Sequence, residues 1–173
     1  MLAITDNFYN SWFSAISRNY SYYEINDMEG LKQKLDEIMP VFAGRAFEKF
    51  THKFVEILGK KNRIFHIDAI GRWWGRDQNK PKGMNDEEID VVAIGKRSDD
   101  ILFAECKWSN AKVGIEIFND LKRKARLVQW RNANRKECFA LFSKSGFTDA
   151  MKRAAKEEDV MLFDLEAIEK ALR

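Results

Sequence analysis

The chain has 173 residues, 45% hydrophobic and 33% charged, with a formal net charge of +3, which is the balance of an ordinary soluble domain with a core of its own. No apolar run approaches the roughly 18 residues of a membrane-spanning helix, and the N-terminus lacks the basic-then-apolar pattern of a secretory signal. The two cysteines, Cys106 and Cys138, and two scattered histidines, His52 and His66, exclude a disulfide framework and argue against a zinc site, leaving buried thiols of a reducing cytoplasm as the expectation.

Taken in chain order, Asp6–Arg18 is amphipathic, with Phe8, Trp12, Phe13 and Ile16 on one side of a helix. A tyrosine-rich connector follows from Tyr20 to Tyr23. Asn26-x-x-Glu29 then has capping-box form and opens a helix carrying Leu31, Leu35 and Ile38. Pro40 is expected to close that helix and to stand in the first turn of the next. Residues 1–39 thus read as a helical appendage and 40–173 as the main domain. From Val41 to Leu58, a stripe of Phe47, Phe50, Phe54 and Ile57 is spaced to pack on a sheet, with Glu48 on its flank.

Arg63–Gly71 reads as the first strand. The polar stretch Arg72–Glu87 reads as irregular, a length at which loops are often functional. Within it, Trp73 and Trp74 suit either stacking on a base or closing the edge of the core. Two further strands, Glu88–Gly95 and Ile101–Lys107, are joined by a turn over residues 96–100. Val113–Arg131 reads as a helix with Gly114, Ile117, Phe118, Leu121, Ala125 and Val128 in one stripe. Its other face carries Leu127 and Trp130, which call for cover by the N-terminal helices, a second subunit or nucleic acid.

Glu137–Ser143 is a continuous apolar run of the kind buried on both faces. Thr148 caps a helix through Glu158, Val160–Phe163 is a last strand and Leu165–Leu172 a last helix. Three strands in succession, then alternation of helix and strand, imply a mixed α/β sheet with helices on both sides.

The chemistry concentrates at Asp90 and at Glu105-Cys106-Lys107. Alternation along a strand sends Glu105 and Lys107 to one face, and a hairpin brings Asp90 beside them. Two ionised carboxylates about 4 Å apart repel by roughly 4 kcal/mol at an effective dielectric near 20. Such a pair persists when one protonates or a cation lies between them. Mg²⁺ takes oxygen ligands, commonly one or two carboxylates with waters and phosphate. The Cys106 carbonyl is a further hard oxygen, and Lys107 supplies a point charge near a phosphate or attacking water.

This pattern resembles the PD-(D/E)xK nuclease superfamily, with Asp90, Glu105 and Lys107 in the signature positions and Ile89 where the proline usually stands. The resemblance implies a restriction-endonuclease-like fold, Mg²⁺ or Mn²⁺ as cofactor, and catalysis by Asp90, Glu105 and Lys107. It implies metal ligation by Asp90, Glu105 and the Cys106 carbonyl. Glu48, in GRAFEKF, matches the glutamate that the family often carries on its first core helix and would act through a water. A broader similarity links Thr5-Asp6-Asn7-Phe8, Trp12-Phe13, GRAFEKF, IGRWWGR, EIDVVAIG and FAECKW to the C-terminal domain of the archaeal ATPase family. There a P-loop NTPase and a winged helix precede a nuclease-like domain. No G-x-x-x-x-G-K-[ST] occurs in this chain, so ATP would enter only through an upstream or separate NTPase module. The expectation is a fragment or free-standing version of that domain.

Charge distribution bears on the partner. Residues 60–83 hold seven Lys/Arg against two Asp, and residues 108–140 eight against three acids. These stretches read either as walls of a phosphate-binding cleft or as solvated faces. Three functions follow: a divalent-metal-dependent nuclease acting on DNA, a nucleic-acid-binding module of the same fold with little turnover, or a protein-interaction domain. A homodimer is compatible with each.

Overall fold

The computed structural model describes residues 12–173. The part of the first amphipathic helix before Trp12, and the Thr5–Phe8 match, lie outside the described residues. The chain forms two compact units, the first ending at Phe47 and the second spanning Glu48–Arg173.

In the first unit a π-helical turn, Trp12–Ile16, passes into a 3₁₀ turn, Ser17–Asn19, and then into α1, Tyr20–Glu24. The Asn19 amide donates to the Ala15 carbonyl at 2.6 Å. Asn26 adopts φ +58°, and the cap of the next helix is Asp27 instead, whose Oδ1 accepts from the Gly30 N–H at 2.9 Å. A Cβ at Gly30 would collide with that carboxylate and with the Tyr22 ring, so the cap and the glycine go together. α2, Met28–Lys60, runs through Pro40, contrary to the expected break. Proline forgoes one helical hydrogen bond, at about 3 kcal/mol. Helices in proteins are held mainly by packing of their buried face, which here lies beyond the proline.

The second unit is a five-stranded sheet in the order β1 (Ala69–Arg76), β2 (Asp86–Gly95), β3 (Asp100–Lys107), β4 (Lys136–Ser143), β5 (Val160–Asp164). β1–β2 and β2–β3 are antiparallel, β3–β4 and β4–β5 parallel. The parallel pairs need crossovers, supplied by α3 (Ile115–Ala125) and α4 (Asp149–Glu157); α5 (Leu165–Leu172) closes the chain. Phe54 of α2 meets Phe142 edge-on at 5.8 Å, while Phe118 of α3 meets Phe139 at 5.6 Å. Residues three apart on a strand face opposite ways, so α2 and α3 cover opposite faces. The fold is the mixed sheet flanked by helices, after an N-terminal helical segment, that the restriction-endonuclease-like reading called for.

Four local expectations are corrected. Of the expected stripe on α2, Phe47 and Phe54 are buried and Ile57 half-buried, whereas Phe50 is exposed and Thr51, Val55 and Leu58 are buried as well. Packing on Phe142 and Phe163 selects a face rotated from the aromatic spacing. The first strand begins at Ala69, not Arg63, and continues to Arg76, so the two ends of the supposed loop are strand and residues 77–85 form the connection of a β-hairpin. Arg72–Arg76 has no strand-like apolar pattern; it is extended because the edge of β2 offers it a hydrogen-bonding partner, with Trp74 opposite Glu88. Trp73 packs against the core, while Trp74 is 67% exposed. Finally, α3 ends at Ala125. The Arg135 guanidinium donates to the carbonyls of Ala125, Val128 and Trp130 at 2.9, 2.6 and 3.2 Å, drawing the chain back on itself. Leu127 and Trp130 consequently leave the helix, and Trp130 packs on the protein's own core. Both side chains are half-buried.

As expected, the Thr148 hydroxyl caps α4, accepting from the Met151 N–H at 3.2 Å. Both cysteines are free, Cys106 buried and Cys138 half-buried. Among the described residues no helix is long and apolar enough to cross a membrane.

Candidate functional site

The site lies where β2 and β3 part. Their ladder's last pair is Val91 opposite Ala104. One step further, Asp90 and Glu105 would stand opposite each other, but the Cys106 N–H donates to Asp90 Oδ2 at 2.8 Å rather than to a strand carbonyl. On its other side β2 is bulged. Gly71 pairs with Val92 and Trp73 with Ile89, so Asp90 and Val91 together oppose the single residue Arg72. A bulge re-aims a side chain, and here it re-aims Asp90. His52 of α2 donates to the Asp90 carbonyl at 2.9 Å, holding the bulged backbone. His52 is thus structural, as its sequence context suggested.

Asp90 and Glu105 are each only 6% exposed. Burial is the largest influence on both and pushes both carboxyls above their ordinary range. For Asp90 the hydrogen bond from the Cys106 N–H opposes this and the charge of Glu48 adds to it; for Glu105 the charge of Asp90 adds to it. Glu105 Oε1 accepts from Lys107 Nζ at 2.7 Å. Glu105 Oε2 is buried with no hydrogen bond, and Lys124 Nζ of α3 lies 3.6 Å from it. Burial alone would lower the Lys107 pKa, but the charge and hydrogen bond of Glu105 outweigh it and raise the ammonium above its usual value. Lys107 is therefore cationic at neutral pH. The Cys106 thiol is pushed far up by burial and is no nucleophile.

The structure thus brings Asp90, Glu105 and Lys107 together. Glu48 lies on the Asp90 side, close enough for its charge to act there, but its carboxylate is engaged by the Arg72 guanidinium. Arg72 also reaches Glu88 at 4.0 Å and lies 5.9 Å from the Trp74 ring centre. Arg72 and Lys124 were missed in the sequence. Arg72 was hidden in a supposed loop. Lys124 had only a weak signal, its i,i+4 spacing from Asp120, to which it is bridged at 3.1 Å.

Much of the basic stretch at residues 108–140 is consumed internally. Arg123 binds Asp77, Glu87 and Asp120 at 2.9, 2.9 and 2.7 Å, and Lys122 binds Glu158 at 2.7 Å. The hydrogen bond from Arg123 holds the Glu87 carboxyl below its usual range. This network ties the hairpin connection to α3. Those cations build the fold before they meet any phosphate.

Do these residues fit a divalent cation? The buried Glu105 oxygen that accepts no hydrogen bond, beside a second buried carboxylate of raised pKa, is a hard donor set faced by the Lys124 ammonium only at 3.6 Å. Among the described residues no three His, Cys, Asp or Glu side chains converge. The set therefore suits an ion with one or two carboxylates and retained waters, not a closed protein cage.

A stability test follows from Asp90. Its folded carboxyl holds a proton to higher pH than the unfolded chain does. Stability is therefore unaffected below the unfolded value and falls as pH rises through the folded one. Asp90→Asn, whose amide oxygen still accepts from Cys106, is expected to raise the metal-free melting temperature at pH 8 but not at pH 4. A gain of about 1 kcal/mol would appear as roughly 2–4 °C at this chain length. A variant that melts lower at pH 8 contradicts this account.

Residues 12–125 match a family model, DUF234, described as "Archaea bacterial proteins of unknown function". An uncharacterized protein of Methanocaldococcus jannaschii is 34% identical over 169 residues, covering 94% of this chain and 34% of its own length. The chain thus spans about a third of the length of that curated relative. Among solved structures, a protein of unknown function, AF1548, superposes with TM-score 0.42 at 16% identity, over 70% of this chain and 64% of that one. A repair endonuclease from Pyrococcus abyssi gives TM-score 0.37 at 16% identity, over 64% and 44% of the two chains.

Proposed function

The chain belongs to the DUF234 family, and we propose that its second unit engages nucleic acid and hydrolyses a phosphodiester bond of DNA, with low turnover, at the Asp90–Glu105–Lys107 centre. The observation that carries this reading is the buried Glu105 Oε2, which accepts no hydrogen bond, beside Asp90, with an ammonium fixed on the other Glu105 oxygen. The PD-(D/E)xK resemblance of the same residues supports it.

In this reading Asp90, Glu105 and the Cys106 carbonyl hold Mg²⁺ or Mn²⁺, which when bound would lower the pKa of a water and offset charge on the phosphate. Lys107, already protonated, can only donate. Its Nζ orients the attacking water or stabilises the phosphate oxygens as negative charge develops. Glu48, oriented by Arg72, acts through a water on the Asp90 side.

A second reading is binding with no turnover. It is favoured by the absence of a three-ligand side-chain group among the described residues and by the two lysines at Glu105. One experiment separates the two. Mn²⁺ binding by electron paramagnetic resonance and cleavage of plasmid DNA are measured together, with DNA affinity followed against salt. Hydrolysis predicts both Mn²⁺ binding and cutting. Affinity that falls steeply with salt, without cutting, selects the binding module. Neither DNA binding nor cutting removes both. A P-loop NTPase, upstream or separate, is the partner that the archaeal ATPase resemblance proposes, and self-association is a proposal of equal standing.

A further inference from the structure

Lys124 is the feature that the proposed centre does not absorb. It is borne on α3, its side chain is 12% exposed, and its Nζ stands between two acids: 3.6 Å from Glu105 Oε2 and 3.1 Å from Asp120 Oδ2. The Glu105 oxygen that it faces is the one with no hydrogen bond. That oxygen is also the one a divalent cation would take, because Lys107 already holds Oε1. Asp120 in turn is bound by Arg123, which grips Asp77 and Glu87. A single ammonium therefore ends a line of ion pairs running from the hairpin connection to the centre.

We propose that Lys124 is a positioning residue that acts as a counter-ion latch. In the metal-free protein it neutralises the open oxygen of Glu105 and so weakens cation binding. When a divalent cation arrives, Lys124 is displaced toward Asp120 and toward the phosphate of the nucleic acid. This rests on the reading of Asp90 and Glu105 as metal ligands. The physical basis is competition. An ammonium and a divalent cation cannot share one buried oxygen without strong repulsion, and the longer 3.6 Å separation makes Glu105 the partner Lys124 gives up. Asp120, nearer and more exposed, is the acceptor that makes the exchange inexpensive.

The test is Mn²⁺ affinity, read by electron paramagnetic resonance on the whole chain without nucleic acid. Lys124→Met keeps the apolar stem and removes the charge, so affinity is expected to tighten about tenfold, the equivalent of about 1.4 kcal/mol. Asp120→Asn takes away the alternative acceptor, leaves Lys124 on Glu105, and is expected to weaken Mn²⁺ binding. A fixed charge pair gives the same two signs through its field alone, but its effects add; the latch predicts that Asp120→Asn no longer weakens Mn²⁺ binding once Lys124→Met is present, and additive effects in the double variant overturn it. Thermal melting establishes that each variant folds; if Lys124→Met does not, Lys124→Gln takes its place. Equal affinity in wild type and both variants overturns the latch but keeps the metal centre. No Mn²⁺ binding in wild type with clear binding in Lys124→Met supports the latch and explains a silent centre. No binding in any of the three overturns the latch and the hydrolytic reading together.

Discussion

Lys107→Ala is expected to reduce Mn²⁺-dependent DNA cleavage about 10²–10³-fold, the loss seen when one preorganised donor to developing charge is removed. The side chain is well placed for that role. It projects from the last residue of β3, is partly exposed, and is held at 2.7 Å by Glu105. Its ammonium is stabilised in the charged form, so it enters the reaction as a donor across the neutral range. The substitution also takes the hydrogen bond from the buried Glu105 Oε1, so melting is expected to fall, and cleavage is compared at a temperature where both proteins are folded. Lys107→Arg keeps the charge but not the compact geometry, so it restores only part of the rate. Cleavage unchanged by Lys107→Ala would assign the activity to some other group.

Phe54→Ala is expected to cost about 3–5 kcal/mol, measured by urea unfolding. Phe54 is 1% exposed and meets two strand aromatics edge-on: Phe142 at 5.8 Å and 85°, Phe163 at 5.1 Å and 74°. The ring thereby joins α2 to β4 and β5, and removing it opens a cavity between rigid neighbours that themselves stack at 5.0 Å. Phe50, four residues earlier and 40% exposed, provides the contrast. Phe50→Ala is expected to cost less than half as much. Equal costs would mean that the buried face of α2 has been misassigned.

The same pair of phenylalanines shows how far the sequence could be read. A helix-period stripe announced that this segment packs on a sheet, but three phenylalanines and an isoleucine over eleven residues define more than one possible face. Which face is buried depends on where Phe142 and Phe163 stand, and those come from strands that are distant in sequence. The motif strands were legible for the opposite reason: Ile89–Ala93 and Ile101–Cys106 carry strong β patterns flanking a turn. Alternation alone then put Glu105 and Lys107 on one side. β1 was not legible, because an edge strand rich in arginine and tryptophan is extended only when a neighbour provides its hydrogen bonds. Arg72 was lost with it.

What the amino-acid sequence determined by itself is local and periodic. It includes the order of elements, the mixed α/β class, the cap at Thr148, and the pairing of Glu105 with Lys107 along one strand. These follow from backbone geometry acting within a few residues. The tertiary structure alone decided everything that depends on a partner distant in sequence. A bulge opposite Arg72 aims Asp90, Arg135 takes the carbonyl of the last residue of α3 and two beyond it, and Lys124 arrives beside Glu105 from the following helix. In each case a charged or polar group satisfies a hydrogen bond or a charge supplied by another element, and no spacing rule within one segment can announce such a meeting.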